Sequence, residues 1–234
     1  MTSLTSVAMT TFPASFASDE LVQRVSANLA DVRARIVRCG RALESVRIVG
    51  VTKTFGVDVV RAASEVGLRD VGENYVAELE EKKSATQDLD LTWYFLGALQ
   101  TNKILRVTTA ANVLCAVSRV KEIDRIARAR PRMAIYVQVD CTNGVTRNGA
   151  PASEVAGLVR LARARELDVR GLMTVAPPDV PGAREAFHIT SDLADELGVL
   201  ERSMGMSDDL EAACEFGTTE VRIGRALFGP RTQR

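Results

Sequence analysis

The sequence predicts a single-domain α/β fold, a closed (β/α)8 TIM barrel. Three observations predict it. Eight short runs rich in β-branched or aromatic residues alternate with stretches whose apolar residues recur at helical spacing. The connections are short, and the runs are apolar enough for parallel strands covered on both faces. The chain has 234 residues, 46% of them apolar, which suits one barrel of roughly 250 residues. An open, doubly wound sheet is the competing topology.

Residues 1–17 are rich in Ser and Thr and carry no charged side chain. They lack the basic and apolar regions of a secretion signal, so they are read as a flexible tail and 18–234 as the barrel domain. Leu21, Val22, Val25, Leu29, Val32 and Ile36 share one face of a helix over 19–38, and Gly40 stops it. The run R-I-V-G-V-T-K (47–53) is the first strand and ends on Lys53. A helix at 57–65, closed by Gly67, leads to a strand at 69–72. Helix and strand then follow at 75–84 and 91–96, 102–107 and 112–117, and 120–129 and 133–139. The last rounds are 151–165 and 169–175, 181–197 and 200–204, and 208–215 and 220–223.

Thirty acidic and thirty basic side chains give zero net charge, so no nucleic-acid footprint is expected. Arginines are interleaved with Glu and Asp, as on solvated helix faces. Cys39, Cys115, Cys141 and Cys214 are far apart in sequence and form no C-x-x-C, which argues for reduced thiols rather than a metal site or disulfide framework. No stretch approaches the ~20 apolar residues of a membrane span. A cytoplasmic monomer that does not engage membranes is expected.

In such a barrel the C-terminal ends of all staves face one mouth. That mouth would collect Lys53 and Thr54, Glu73 to Tyr75, Gln100 with Asn102 and Lys103, and Asn143 to Arg147. It would also collect Met173 with Thr174, Ser203 to Ser207, and Arg222 with Gly224. Lys53 ends a nearly continuous apolar strand. Desolvation there disfavours the ammonium form, as a lysine that condenses with an aldehyde requires. The plainer reading is a lysine that points to water. Ser203, Gly205 and Ser207 precede a helix start, with Ser207 as its N-cap, and Gly224 follows the next strand. Two such loops after the last two staves are where barrels hold a phosphate, although each residue could merely shape a turn. Arg222 alternates with Gly224 and should face the lumen, paired with a ring acceptor or with a carboxylate such as Glu73. Amine and phosphate loop together point to a phosphorylated aldehyde. His188, the only histidine, has no nucleophile or carboxylate arrangement around it in sequence and is read as structural.

V-G-V-T-K-T, D-V-G-E-N-Y, W-Y-F-L-G-A-L-Q-T-N-K, R-G-L-M-T, S-M-G-M-S-D-D-L-E-A-A and V-R-I-G-R-A-L-F-G span most of the chain. Together they resemble the pyridoxal phosphate homeostasis protein family. The resemblance implies a barrel like the N-terminal domain of alanine racemase (fold-type III), with pyridoxal 5′-phosphate as internal aldimine on Lys53. It implies phosphate contacts from Ser203 and from backbone N–H groups at Gly224 and Arg225, beside Ser207 of the same cradle. Arg222 would face the pyridine nitrogen, and Asn74 and Met173 would line the pocket. Family members are thought to buffer or deliver cofactor without robust catalysis, so PLP-dependent apo-enzymes become transient partners. Tyr94, Arg147 and Arg225 depart from the family pattern. The Arg225 change exchanges a threonine hydroxyl for a guanidinium beside the phosphate.

An arginine at the ring nitrogen stays charged and discourages its protonation, which weakens the ring as an electron sink. The racemases that share this barrel take one base from a separate C-terminal domain, for which this chain leaves no length. A fold-type III racemase-like enzyme is the alternative, with Tyr75 or Tyr94 as second base. A cofactor-free aldolase using Lys53 is a further one.

Overall fold

Eight parallel staves close on themselves in the computed structural model, which describes residues 17–142 and 148–230. Helix α1 (Asp19–Arg38) precedes the barrel. The chain then runs β1 (Arg47–Val51), α2 (Val57–Glu65), β2 (Asp70–Glu73), α3 (Val76–Ala85), β3 (Thr92–Phe95), α4 (Ile104–Ala110) and β4 (Val113–Val117). It continues through α5 (Val120–Ala129), β5 (Ala134–Asp140), β6 (Ala150–Pro151), α6 (Ala152–Ala164) and β7 (Asp168–Thr174). The last elements are α7 (Val180–Glu196), β8 (Glu201–Ser203), α8 (Leu210–Glu215), β9 (Glu220–Ile223) and α9 (Arg225–Phe228). The staves stand in the order β4-β3-β2-β1-β9-β8-β7-β5, with β6 a two-residue spur on β5. Pairing of β4 with β5, through Val113 opposite Ala134 and Leu114 opposite Ile135, closes the ring and excludes the open sheet.

All eight expected strands are staves, with ends displaced by two residues or fewer. The expected tail falls almost entirely on residues that are not described, and so does the stretch from Asn143 to Arg147. Helix α9 is a single turn of four residues, too few to show a period in the sequence.

The core has two layers. Outside the staves, Trp93 and Phe95 pack with Ile104, Ile123 and Ile126 beneath the helices. Inside, Val49, Tyr94, Cys115, Tyr136 and Met173 fill the lumen. The apolar stripe of α1 (Leu21, Val25, Leu29, Val32, Ile36) lies on Val221, Ile223, Leu227 and Phe228 and so covers the last stave and α9. Ser18 caps α1 by accepting the Leu21 N–H at 3.3 Å. No helix among the described residues is long and apolar enough to cross a membrane.

Candidate functional site

The alternation of a β-strand decides which side chains reach the mouth. Asn74, Arg222 and Gly224 come from lumen-facing positions at the ends of β2 and β9, and Lys53 stands two residues beyond β1. They meet around a cavity of about 680 Å³ that Met173, Ser207 and Arg225 also line. Seven of the eight residues expected to contact the cofactor therefore surround one space. Gly97 lies at its edge, where a Cβ would stand 2.1 Å from the Asn74 carbonyl oxygen, so only glycine lets these two strand ends approach.

Ser203 is the eighth, and it lies below that space. Its hydroxyl is completely buried; it donates to Glu220 Oε1 at 2.7 Å and accepts from Arg222 Nη1 at 2.7 Å. Ser207 does not cap α8. Gly205, at φ 97°, turns the chain; Asp209 is the N-cap residue of α8, and its Oδ1 accepts from the Met206 N–H ahead of the helix. The Ser207 hydroxyl instead accepts from the Ala226 N–H at 3.2 Å and ties the loop after β8 to the start of α9. The Arg225 guanidinium is exposed and paired with Asp208 at the rim.

Arg222 is held rigidly. Nη1 donates to the Ser203 carbonyl at 2.6 Å, and Nη2 donates to the Thr174 carbonyl at 2.6 Å. Burial lowers its pKa, and the nearby Glu220 carboxylate opposes that most strongly. Glu220 is buried beneath it, and its Oε2 accepts from Tyr136 Oη at 3.0 Å and Arg47 Nη1 at 3.2 Å. Burial raises the Glu220 pKa, with the Ser203 hydroxyl and the Arg222 charge opposing. The carboxylate that faces Arg222 is thus Glu220 and not Glu73. Glu73 points outward from β2 and pairs with buried Lys82 of α3 at 2.5 Å.

Gln100, Asn102, Lys103 and Tyr75 do not line the cavity, and Tyr75 is 56% exposed. Tyr94 is packed in the lumen, where burial pushes its hydroxyl pKa upward and makes it a poor base. His188 sits on the outer face of α7 near Asp192, with its ring beside Phe216. Sequence reasoning missed Gln138, whose Nε2 donates to the Asn148 carbonyl at 2.6 Å, whereas Met206, inside the stretch expected at the mouth, does line the cavity. The signal for Gln138 was present, since it is the one amide in an otherwise apolar strand interior. A neighbouring cleft of about 710 Å³ shares Gln138, Met206 and Asp208 but is lined by no lysine.

Closed barrel and mouth together define a class: the family model described as the alanine racemase N-terminal domain matches residues 23–232. Within that class the chain belongs to the pyridoxal phosphate homeostasis protein family. The pyridoxal phosphate homeostasis protein of Pseudomonas aeruginosa is 36% identical over 220 residues, covering 88% of this chain and 96% of that protein. PipY of Synechococcus elongatus PCC7942, solved with PLP bound, is similar with a TM-score of 0.77 at 28% identity, over 88% of this chain and 100% of PipY. Alanine racemase of Clostridium difficile 630 shares the fold, with a TM-score of 0.73 at 18% identity over 93% of this chain and 59% of that one.

Proposed function

We propose that this protein binds pyridoxal 5′-phosphate covalently on Lys53 and holds it for exchange with PLP-dependent apo-enzymes in the cytoplasm, acting as a monomer in cofactor homeostasis. One observation carries the reading: Lys53, Arg222 and the Ser207 and Gly224 loops line a single cavity of about 680 Å³. Its size lies within the range of small-molecule sites. The donor set fits the group, with an amine for an aldehyde, a fixed cation for a ring acceptor, and a hydroxyl and glycine loop for a phosphate. When bound, the cofactor supplies an aldehyde that condenses reversibly with amines and a ring that can take up electron density.

The residues of this chain favour holding over turnover. Arg222 has its guanidinium aimed by the Ser203 and Thr174 carbonyls, and its charge opposes a proton on any ring nitrogen it faces. Neither Tyr75 nor Tyr94 lines the cavity to act as a second base. Ser207 and Gly224 bring the loops after β8 and β9 together, where a phosphate would meet both.

The test is borohydride reduction of the protein mixed with pyridoxal 5′-phosphate, followed by peptide mass analysis. A pyridoxyl group on Lys53, absent from Lys53→Ala, is expected. An unlabelled protein, or Lys53→Ala labelled to the same extent elsewhere, overturns the reading. Exchange of the alanine α-proton in deuterated water would favour the racemase alternative.

A further inference from the structure

Lys53 leaves its stave through a conformation that its neighbour does not favour. Thr54 has φ 68°, in the left-handed region where a β-branched residue is a steric outlier. Such a turn persists only where surrounding contacts hold it. The contacts come from α3, on the outer side of the barrel. The Thr54 N–H donates to Glu78 Oε2 at 2.8 Å. On the other side of Lys53, the Thr52 carbonyl accepts from Lys82 Nζ at 2.7 Å, and the Thr52 hydroxyl donates to Glu73 Oε1 at 2.7 Å. Lys82 also donates to Glu73 Oε1 at 2.5 Å and to Glu78 Oε2 at 3.2 Å, so one buried ammonium joins both carboxylates. Both peptide flanks of Lys53 are therefore tied to a single charged cluster, within which Lys82 is 3% exposed and Glu73 is completely buried.

We propose that Glu78 and Lys82 are positioning residues for Lys53: they clamp Thr52 and Thr54, impose the left-handed turn, and so direct the Lys53 side chain into the mouth. The proposal rests on the reading of Lys53 as the attachment point. It gives a role to the buried lysine that stands behind the stave. It also separates two lysines by role, since Lys82 has its donors committed to three oxygens and cannot substitute for Lys53. The clamp works through backbone geometry, because the atoms it holds are the Thr52 carbonyl and the Thr54 N–H.

The test uses a double-mutant cycle of Glu78→Gln and Thr54→Gly, read by spectroscopic titration with pyridoxal 5′-phosphate and by the pyridoxyl yield on Lys53. Glu78→Gln is expected to weaken covalent binding roughly 10- to 100-fold, the range a small misplacement of a reacting group produces. Glycine adopts positive φ without help. In the Thr54→Gly background the same substitution should therefore cost less than about threefold, the difference being the coupling between the two sites. Lys82→Met should impair binding in the same direction. Unchanged binding in a folded Glu78→Gln protein overturns the clamp while leaving Lys53 as the attachment point. Equal losses in both backgrounds overturn it too, because the turn would then not be what Glu78 supports. Absence of label from the unaltered protein removes the cofactor reading and the clamp together.

Discussion

Ser203→Ala separates two roles that the sequence could not tell apart. Sequence reading placed this hydroxyl on a phosphate; the structure commits it between Glu220 and Arg222, each 2.7 Å away. The substitution leaves Glu220 Oε2 with its Tyr136 and Arg47 donors, and leaves Arg222 with two carbonyl acceptors. One oxygen of a buried carboxylate alone loses its donor. A hydrogen bond to a charged group contributes about 1.5–3 kcal/mol, and more is at stake when the orphaned atom is buried. At this chain length ~1 kcal/mol moves Tm by roughly 2–4 °C, so ~2 kcal/mol lowers it by roughly 4–8 °C. The assay is thermal unfolding by circular dichroism at pH 7 on protein freed of any cofactor. The companion variant Ser207→Ala removes only the 3.2 Å bond from Ala226. It should leave Tm within about 4 °C, the equivalent of one ordinary hydrogen bond, while weakening binding of pyridoxal 5′-phosphate. A Ser203→Ala protein with Tm within about 1 °C of the parent, and with the larger loss of cofactor binding, would refute the assignment.

Gly97→Ala drives a Cβ to 2.1 Å from the Asn74 carbonyl oxygen; strain of about 1–3 kcal/mol and a measurable loss of cofactor affinity by titration are expected. Leu29→Ala, at a 2% exposed position where α1 covers the last stave, should lose about 2–5 kcal/mol in urea unfolding with little change in cofactor affinity. The Arg35 guanidinium chelates Glu211 at 2.6 and 2.7 Å and holds that carboxyl below the usual carboxylate range. A depressed folded pKa means that the stabilisation is present above the unfolded value of about 4.3 and is lost as pH falls through the folded one. Glu211→Gln should therefore lower stability slightly at pH 7, by less than ~1 kcal/mol for a solvent-screened pair, and the difference should shrink as pH falls below the usual carboxylate range in parallel melts.

Strand runs such as R-I-V-G-V and E-V-R-I were legible because a buried parallel strand is a short local pattern, and glycines at 40, 67 and 217 marked where helices stop. Lys53, Asn74, Arg222 and Gly224 were legible for the same reason, since each stands at or just beyond a strand end. Tyr75, Gln100 and Asn102 looked alike in sequence, yet Tyr75 falls on the opposite alternation to Asn74, and Gln100 and Asn102 stand five and seven residues beyond β3, where strand alternation no longer sets the chain direction. The role of Ser203 was hidden by position. It is the last residue of β8, so its side chain turns into the lumen, whereas Ser207, four residues on, reaches the cavity.

From its residues alone the chain determined an alternating barrel, a lysine ending the first stave and glycine-bearing loops after the last two, because these are properties of short segments and their order. The tertiary structure decided the partnerships: Ser203 between Glu220 and Arg222, Lys82 behind Thr52, and Asp208 on Arg225. Such pairings join residues from separate turns of the barrel, and which charges meet depends on the register of closure. Local pattern carries no information about that register. It is a property of the whole closed ring, in which β4 pairs with β5.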